Sequence, residues 1–220
     1  MMPALPAWLV AFAALADPAG DPPVQAPPAE TVCPATTEAL PLPPTLSRTD
    51  PRLAGPRVVV VRKAARRLLV YESGRLYADG EGSPACWQVA LGVDASGVYP
   101  PGPKRRRGDR KTPEGWYRTS DKPTSSFYHA IRVHYPNAED VRAGVAAGLI
   151  DAAQARAARA ALGAGRVPPQ DTRLGGEILL HGGGSSSDWT WGCVALDNAD
   201  IDALRALLPE GMRTDLLLLP

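Results

Sequence analysis

Sulfur and imidazole are scarce in this chain, with three cysteines and three histidines among 220 residues. No Cys-x-x-Cys occurs, and no helix carries paired histidines, so no metal site is expected. A surplus of one charge is also missing. Lysine and arginine number 24 against 23 aspartates and glutamates, which gives nucleic acid nothing global to hold. Aromatics make up only 6%. The apolar run from Ala7 to Ala16 is too short to cross a bilayer as a helix.

What is present divides the chain in three. Residues 1–20 read as a signal peptide or N-terminal anchor, with Ala14-Leu15-Ala16 shaped like a cleavage site although no basic residue precedes the run. Residues 21–55 are rich in proline and alanine and read as an extended linker. A folded domain is expected over 56–220. Its β-branched run Val58 to Val61 reads as a buried strand, and shorter strands follow at Leu68 to Tyr71, Cys86 to Leu91, Gly115 to Thr119, Ala130 to His134 and Ile178 to His181. Leu216 to Leu219 reads as a closing strand. The alanine-rich stretch 138–163 predicts a helical insertion, broken by Gly144 and Gly148. A short helix after Asn198 ends at Pro209. The fold class is therefore mostly β.

One cysteine and one histidine stand twelve residues apart among glycines and small polar residues: His181 and Cys193. A thiol that attacks an amide must lose its proton, and an imidazole is a base of suitable strength. Backbone amides at Trp191, Gly192 and Cys193 are candidates to hold the resulting oxyanion, and Gly192 leaves the approach unobstructed. The second ring nitrogen of His181 needs an acceptor, for which the carbonyl of Gly182 or Gly183 is nearest in sequence. Asp188 is the only nearby carboxylate. Cys33 and Cys86 can pair as one disulfide, leaving Cys193 free; Cys86 can equally be a buried thiol. Trp189, Tyr128, His129 and Gly182 are candidate substrate contacts, although packing is a competing role for His129 and for His134. The basic run from Lys104 to Lys111 can attract an anionic polymer or serve as a solvated loop.

Three blocks carry a resemblance. They are Gly108-Asp109-Arg110-Lys111-Thr112-Pro113-Glu114-Gly115-Trp116-Tyr117, then Tyr135-Pro136-Asn137-Ala138-Glu139-Asp140, then His181-Gly182 with Asp188 to Asn198. In this order they resemble the signature of the YkuD-like L,D-transpeptidase family over roughly residues 57–220. The resemblance implies a compact β-sandwich-like catalytic domain in an exported enzyme of the periplasm or cell envelope. It implies that Cys193 is the nucleophile, His181 the base, and no cofactor is used. Peptidoglycan stem peptides would be the substrate, with a wall-anchored protein as another acceptor for a monomeric enzyme. Hydrolysis on the same scaffold, or wall binding without catalysis, are the alternatives. Two positions depart from the pattern: Trp191 stands where many members have a second histidine, and Ala195 where many have an arginine. The loop between His181 and Cys193 is expected to be a small, mobile lid.

Overall fold

The computed structural model describes residues 32–220; the expected signal segment and the first part of the linker lie outside them. Nine strands and three helices follow in chain order: β1 (Val58–Arg62), β2 (Arg67–Glu72), β3 (Arg75–Leu76), β4 (Cys86–Gln88), β5 (Gly115–Asp121), β6 (Ile131–Val133), α1 (Ala138–Ala146), α2 (Ala152–Gly163), β7 (Leu179–His181), β8 (Val194–Ala195), α3 (Asn198–Leu207) and β9 (Asp215–Leu219). The mostly-β reading holds. All nine strands belong to one sheet, in the order β3-β2-β1-β9-β5-β6-β7-β8, with β4 also paired to β2.

The sheet curls until the chain just beyond β4 reaches β8. Ala90, just beyond β4, exchanges backbone hydrogen bonds of 2.8 and 2.9 Å with Ala195 in β8. This bridge covers part of the β8 edge, where unpaired amides would otherwise be exposed. At the centre, β9 runs parallel to β1 and antiparallel to β5. The closing strand is thus the middle of the sheet. Its Leu216, Leu217, Leu218 and Leu219 are buried with the valines of β1, as expected of a strand covered on both faces.

The Tyr135–Asp140 block acts locally as a helix start. Asn137 caps α1 by accepting from the amides of Glu139 and Asp140, and Asp140 accepts in return from the amide of Asn137. Asp151 and Gln154 repeat the device for α2. Gly148, at φ 63°, makes the break between the helices. Gly144 does not; it lies inside α1, where an added Cβ would meet Leu174 at 2.8 Å. The third helix begins one residue earlier than expected, with Asp197 at the N-cap position but without a side-chain cap bond, and Asn198 instead accepts from the amide of Gly183 at 3.0 Å.

Residues 32–55 depart from the linker expectation. Leu40 and Leu53 are buried against β1, β2 and β9. Tyr71 donates its hydroxyl to the carbonyl of Pro34 at 2.9 Å. Cys33 is bonded to Cys86 across 53 residues. Composition suggests an extended chain, yet buried leucines, backbone hydrogen bonds to Gly74 and Leu76 and one disulfide dock this segment on the sheet.

Candidate functional site

Strand register places the sulfur and the imidazole on one face. β7 pairs with β8 in parallel, His181 opposite Ala195 and Leu180 opposite Val194. Side chains alternate along a strand, so Leu180 and Val194 enter the main core. Leu179 and Cys193 turn the other way and pack with Ala130. His181, two residues on from Leu179, shares that face. Both Cys193 and His181 line one cavity of about 470 Å³, with Lys104, Arg107, Arg110, Phe127, Gln170, Glu177, Trp189 and Trp191 among its walls. A larger cavity of about 600 Å³ holds His134 but no thiol. There His134 bonds Ser120 at 3.0 Å, and burial together with nearby arginines lowers its pKa to about 4.

The histidine is held in one tautomer. Nδ1 donates to the carbonyl of Gly182 at 2.6 Å, so Nε2 carries the lone pair. Among the described residues Nε2 is buried and has no partner. The ring stacks on Phe127 at 4.1 Å between centroids and meets the edge of Trp189 at 5.6 Å. Burial holds its pKa below the ordinary histidine value. A neutral imidazole with a free Nε2 is equipped to accept a proton.

The thiol is 9% exposed, at the cavity floor. Its proton points to the carbonyl of Glu177 at 3.6 Å, not to the imidazole. Burial pushes its pKa up to about 11, partly offset by a backbone hydrogen bond from Leu179 and by the charge of Lys104. The resting pair is therefore a neutral thiol and a neutral imidazole.

The expected contacts separate into two groups. Trp191, 73% exposed, stands over the cavity with the Arg110 guanidinium 4.5 Å from its ring centre. Trp189 lines the cavity and donates Nε1–H to the carbonyl of Gly184 at 3.1 Å. Tyr128 and His129 are absent from that wall. They stack on each other, and both bond Asp202. Gly182 is likewise a packing residue: an added Cβ would meet Asn198 Oδ1 at 2.5 Å, while its carbonyl orients His181. Gly192 is needed for a reason other than substrate approach. Its φ is 114°, a Cβ would sit 2.6 Å from the carbonyl of Lys111, and its amide already donates to Thr190 Oγ1 at 3.2 Å.

The loop after His181 is tied down, not loose. Asp188 accepts from Arg66 at 2.6 to 3.0 Å and from the amide of Leu91 at 2.8 Å. Ser185 donates to Asp197 at 2.8 Å, and Trp189 and Thr190 donate to the carbonyl of Leu91. Asp188 is thus a structural clamp, with no contact to His181. Asp109 organises the basic loop by accepting from the amides of Arg105, Arg106 and Lys111 and from Lys104 at 2.9 Å. Next to it, the buried Lys63 bonds Glu114 at 2.7 Å and the carbonyls of Gly102 and Thr112. Ala195 is explained by closure: it is fully buried and both its backbone groups bond Ala90, so an arginine has no room there. Phe127 was not anticipated, because its stack on His181 joins positions far apart in the chain.

Comparison with known proteins follows the same lines. Over 42 residues the chain is 52% identical to YafK of Escherichia coli strain K12, by name a candidate L,D-transpeptidase; the match spans 18% of this chain and 17% of YafK. Among solved structures, the helical cell shape determining protein Pgp2 from Campylobacter jejuni aligns with 74% of this chain and 46% of its own, at 22% identity and a TM-score of 0.46. An L,D-transpeptidase from Xylanimonas cellulosilytica aligns with 78% of this chain and 64% of its own, at 17% identity and a TM-score of 0.38. The chain thus spans less than two thirds of each of these relatives. The family model described as the L,D-transpeptidase catalytic domain, YkuD, matches residues 56–216, and the chain belongs to that family.

Proposed function

We propose that this protein is a cysteine acyltransferase that remodels peptidoglycan through a thioester on Cys193. The observation that carries the reading is one cavity holding both a thiol and an imidazole whose Nε2 is unpartnered. Cys193 Sγ attacks the carbonyl of the diamino acid in a tetrapeptide stem while its proton passes to His181 Nε2. The C–S bond forms and an oxyanion develops. Collapse breaks the C–N bond, and His181 returns the proton to the departing D-alanine amine. An acceptor amine then attacks the thioester, and the thiol is restored. Water in that place gives hydrolysis.

The environment supports this order of events. The pKa of the thiol is raised and that of the imidazole lowered by burial, so the uncharged resting pair costs little to bury. Charge appears only as the carbonyl is attacked, beside the Lys104, Arg107 and Arg110 side chains. The disulfide between Cys33 and Cys86 suits an oxidising compartment, in keeping with a periplasmic or envelope location. Among the described residues no helix is long and apolar enough to cross a membrane.

Purified tetrapeptide muropeptides incubated with the protein test the assignment. Dimers in the mass spectrum are the expected product, and shortened monomers would place the chain with the hydrolases. Unchanged muropeptides alongside wall binding that survives Cys193→Ala would overturn the enzymatic reading.

A further inference from the structure

The hollow of about 600 Å³ that holds His134 takes no part in the chemistry above and shares no lining residue with the thiol cavity. Strand register builds one side of it. Arg118 in β5 lies opposite Asp215 in β9. The amide of His134, just past β6, donates to the carbonyl of Arg118 at 2.8 Å. Residues directly opposite share a face, so these three form a row across the sheet. A neighbouring hollow of about 420 Å³ is lined by the same three residues. Arg213 joins the row from the segment before β9. Thr119 fixes that segment, donating its hydroxyl to the carbonyl of Met212 at 2.6 Å and accepting from the amide of Thr214 at 3.2 Å.

The charges around the row do not cancel. Arg57 pairs with Glu72 at 2.7 Å and donates to the carbonyl of Leu207. Arg132, which also acts on His134, pairs with Glu177 at 3.5 Å. Glu139, in the neighbouring hollow, pairs with Arg142 at 3.9 Å. Of the carboxylates lining the two hollows Asp215 is left, and its charge acts on Arg52. Arg118 and Arg213 remain. Among the described residues neither makes an ion pair or a side-chain hydrogen bond, and the charge of each bears on His134. His134 itself is only 4% exposed. Its Nε2 bonds the Ser120 hydroxyl at 3.0 Å, and among the described residues Nδ1 has no partner. A buried ring nitrogen without a partner, beside two guanidinium groups and one carboxylate, calls for an anionic acceptor.

We propose that Arg118, Arg213 and His134 bind the phosphate group of a small phosphate monoester. Donors that reach one hollow from β5, from the end of β6 and from the segment before β9 suit a tetrahedral dianion, whose oxygens point in several directions. The hollow is larger than a bare phosphate needs, and Pro56, Leu207, Leu208 and Pro209 line it as well, so the organic part of the ester has an apolar wall to cover. A Ser120 hydroxyl that donates to Nε2 leaves the proton on Nδ1, and the neutral ring is then already a donor. The bound anion would in turn favour the imidazolium. None of this depends on Cys193, so the site stands or falls apart from acyl transfer.

The test is calorimetry of the full chain with phenyl phosphate, and with benzoate as a planar anion of similar size. One phenyl phosphate is expected per chain, with benzoate at least about tenfold weaker. Arg118→Gln and Arg213→Gln should each weaken phenyl phosphate about tenfold, and Arg118→Lys, which keeps charge without the fork, should fall between. Arg159→Gln, on α2 and outside the hollow, should change nothing, and neither should Cys193→Ala. In proton NMR the His134 ring is expected to titrate at about 4 in the free protein and between about 5 and 7 with phenyl phosphate bound. The absence of binding to folded wild-type protein would overturn the proposal, and so would equal affinity for benzoate. Wild-type affinity in both Arg118→Gln and Arg213→Gln would also overturn it, as would an equal loss in Arg159→Gln. Loss of binding in Cys193→Ala would put the anion in the thiol cavity and overturn it as well. A protein that leaves muropeptides unchanged yet binds phenyl phosphate as described would sink the acyl-transfer reading alone.

Discussion

The ionisation of Cys193 gives the sharpest consequence of the site geometry. Its Sγ hydrogen bonds a backbone carbonyl, and burial raises its pKa to about 11. Four pH units below that value, at pH 7, the thiolate fraction is about 10⁻⁴. An ordinary thiol with a pKa of 9.0 would be about 10⁻² ionised, so Cys193 should react about a hundredfold more slowly with a thiolate-specific reagent. Iodoacetamide alkylation followed by intact mass reads this directly, because Cys33 and Cys86 are joined and Cys193 is the remaining thiol. The rate should rise about tenfold per pH unit from 7 to 10 without levelling. His181→Ala should leave that profile in place, since the imidazole does not ionise the resting sulfur. A plateau reached below pH 8, lost in His181→Ala, would refute the reasoning and establish a preformed thiolate–imidazolium pair.

Other consequences bear on the supports of the site. Because burial keeps the His181 pKa below 6.5, acylation of Cys193 should increase with pH through a midpoint under that value, measured as kcat/KM on a stem peptide. Asp140 is raised to about 6 from 3.8, mainly by burial, so between those values the folded chain binds more protons than the unfolded one. Stability should therefore fall as pH rises from about 4 to 6, by up to about 3 kcal/mol, and Asp140→Asn should remove that slope in urea melts. Glu114→Gln strips the partner from the buried Lys63 ammonium, for which a loss of about 3 kcal/mol and a drop in Tm of about 6–12 °C are expected by calorimetry. Phe127→Ala removes the ring stacked on His181 and should lower kcat more than it raises KM, with Tm little changed because Phe127 is 40% exposed.

The strands most visible in the sequence are those with dense β-branched or leucine runs, such as Val58 to Val61 and Leu216 to Leu219. Both are buried on two faces, and there composition alone nearly dictates the strand. The parallel pairing between them was not visible, because it joins residues 58 and 215 through tertiary contact. β8 is two residues long and owes its existence to closure against Ala90 and pairing with Leu180. The same division runs through the site. Cys193, His181 and the Gly182 carbonyl could be named from spacing and chemistry. Tyr128 and His129, read as candidate contacts with packing as the competing role for His129, lie off the cavity and bond Asp202, seventy-odd residues away. Asp188, the only carboxylate near His181 in sequence and the weaker choice of orienter, is the partner of Arg66, which no local pattern announces.

Exposure to a carbapenem followed by intact mass measures the central claim most directly, since the drug's strained carbonyl reports on any competent nucleophile in the cavity. A single adduct mapping to Cys193, formed far more slowly in His181→Ala and not at all in Cys193→Ala, is the predicted result. No adduct on a folded protein under reducing conditions, or an adduct mapping to Cys86, would contradict it.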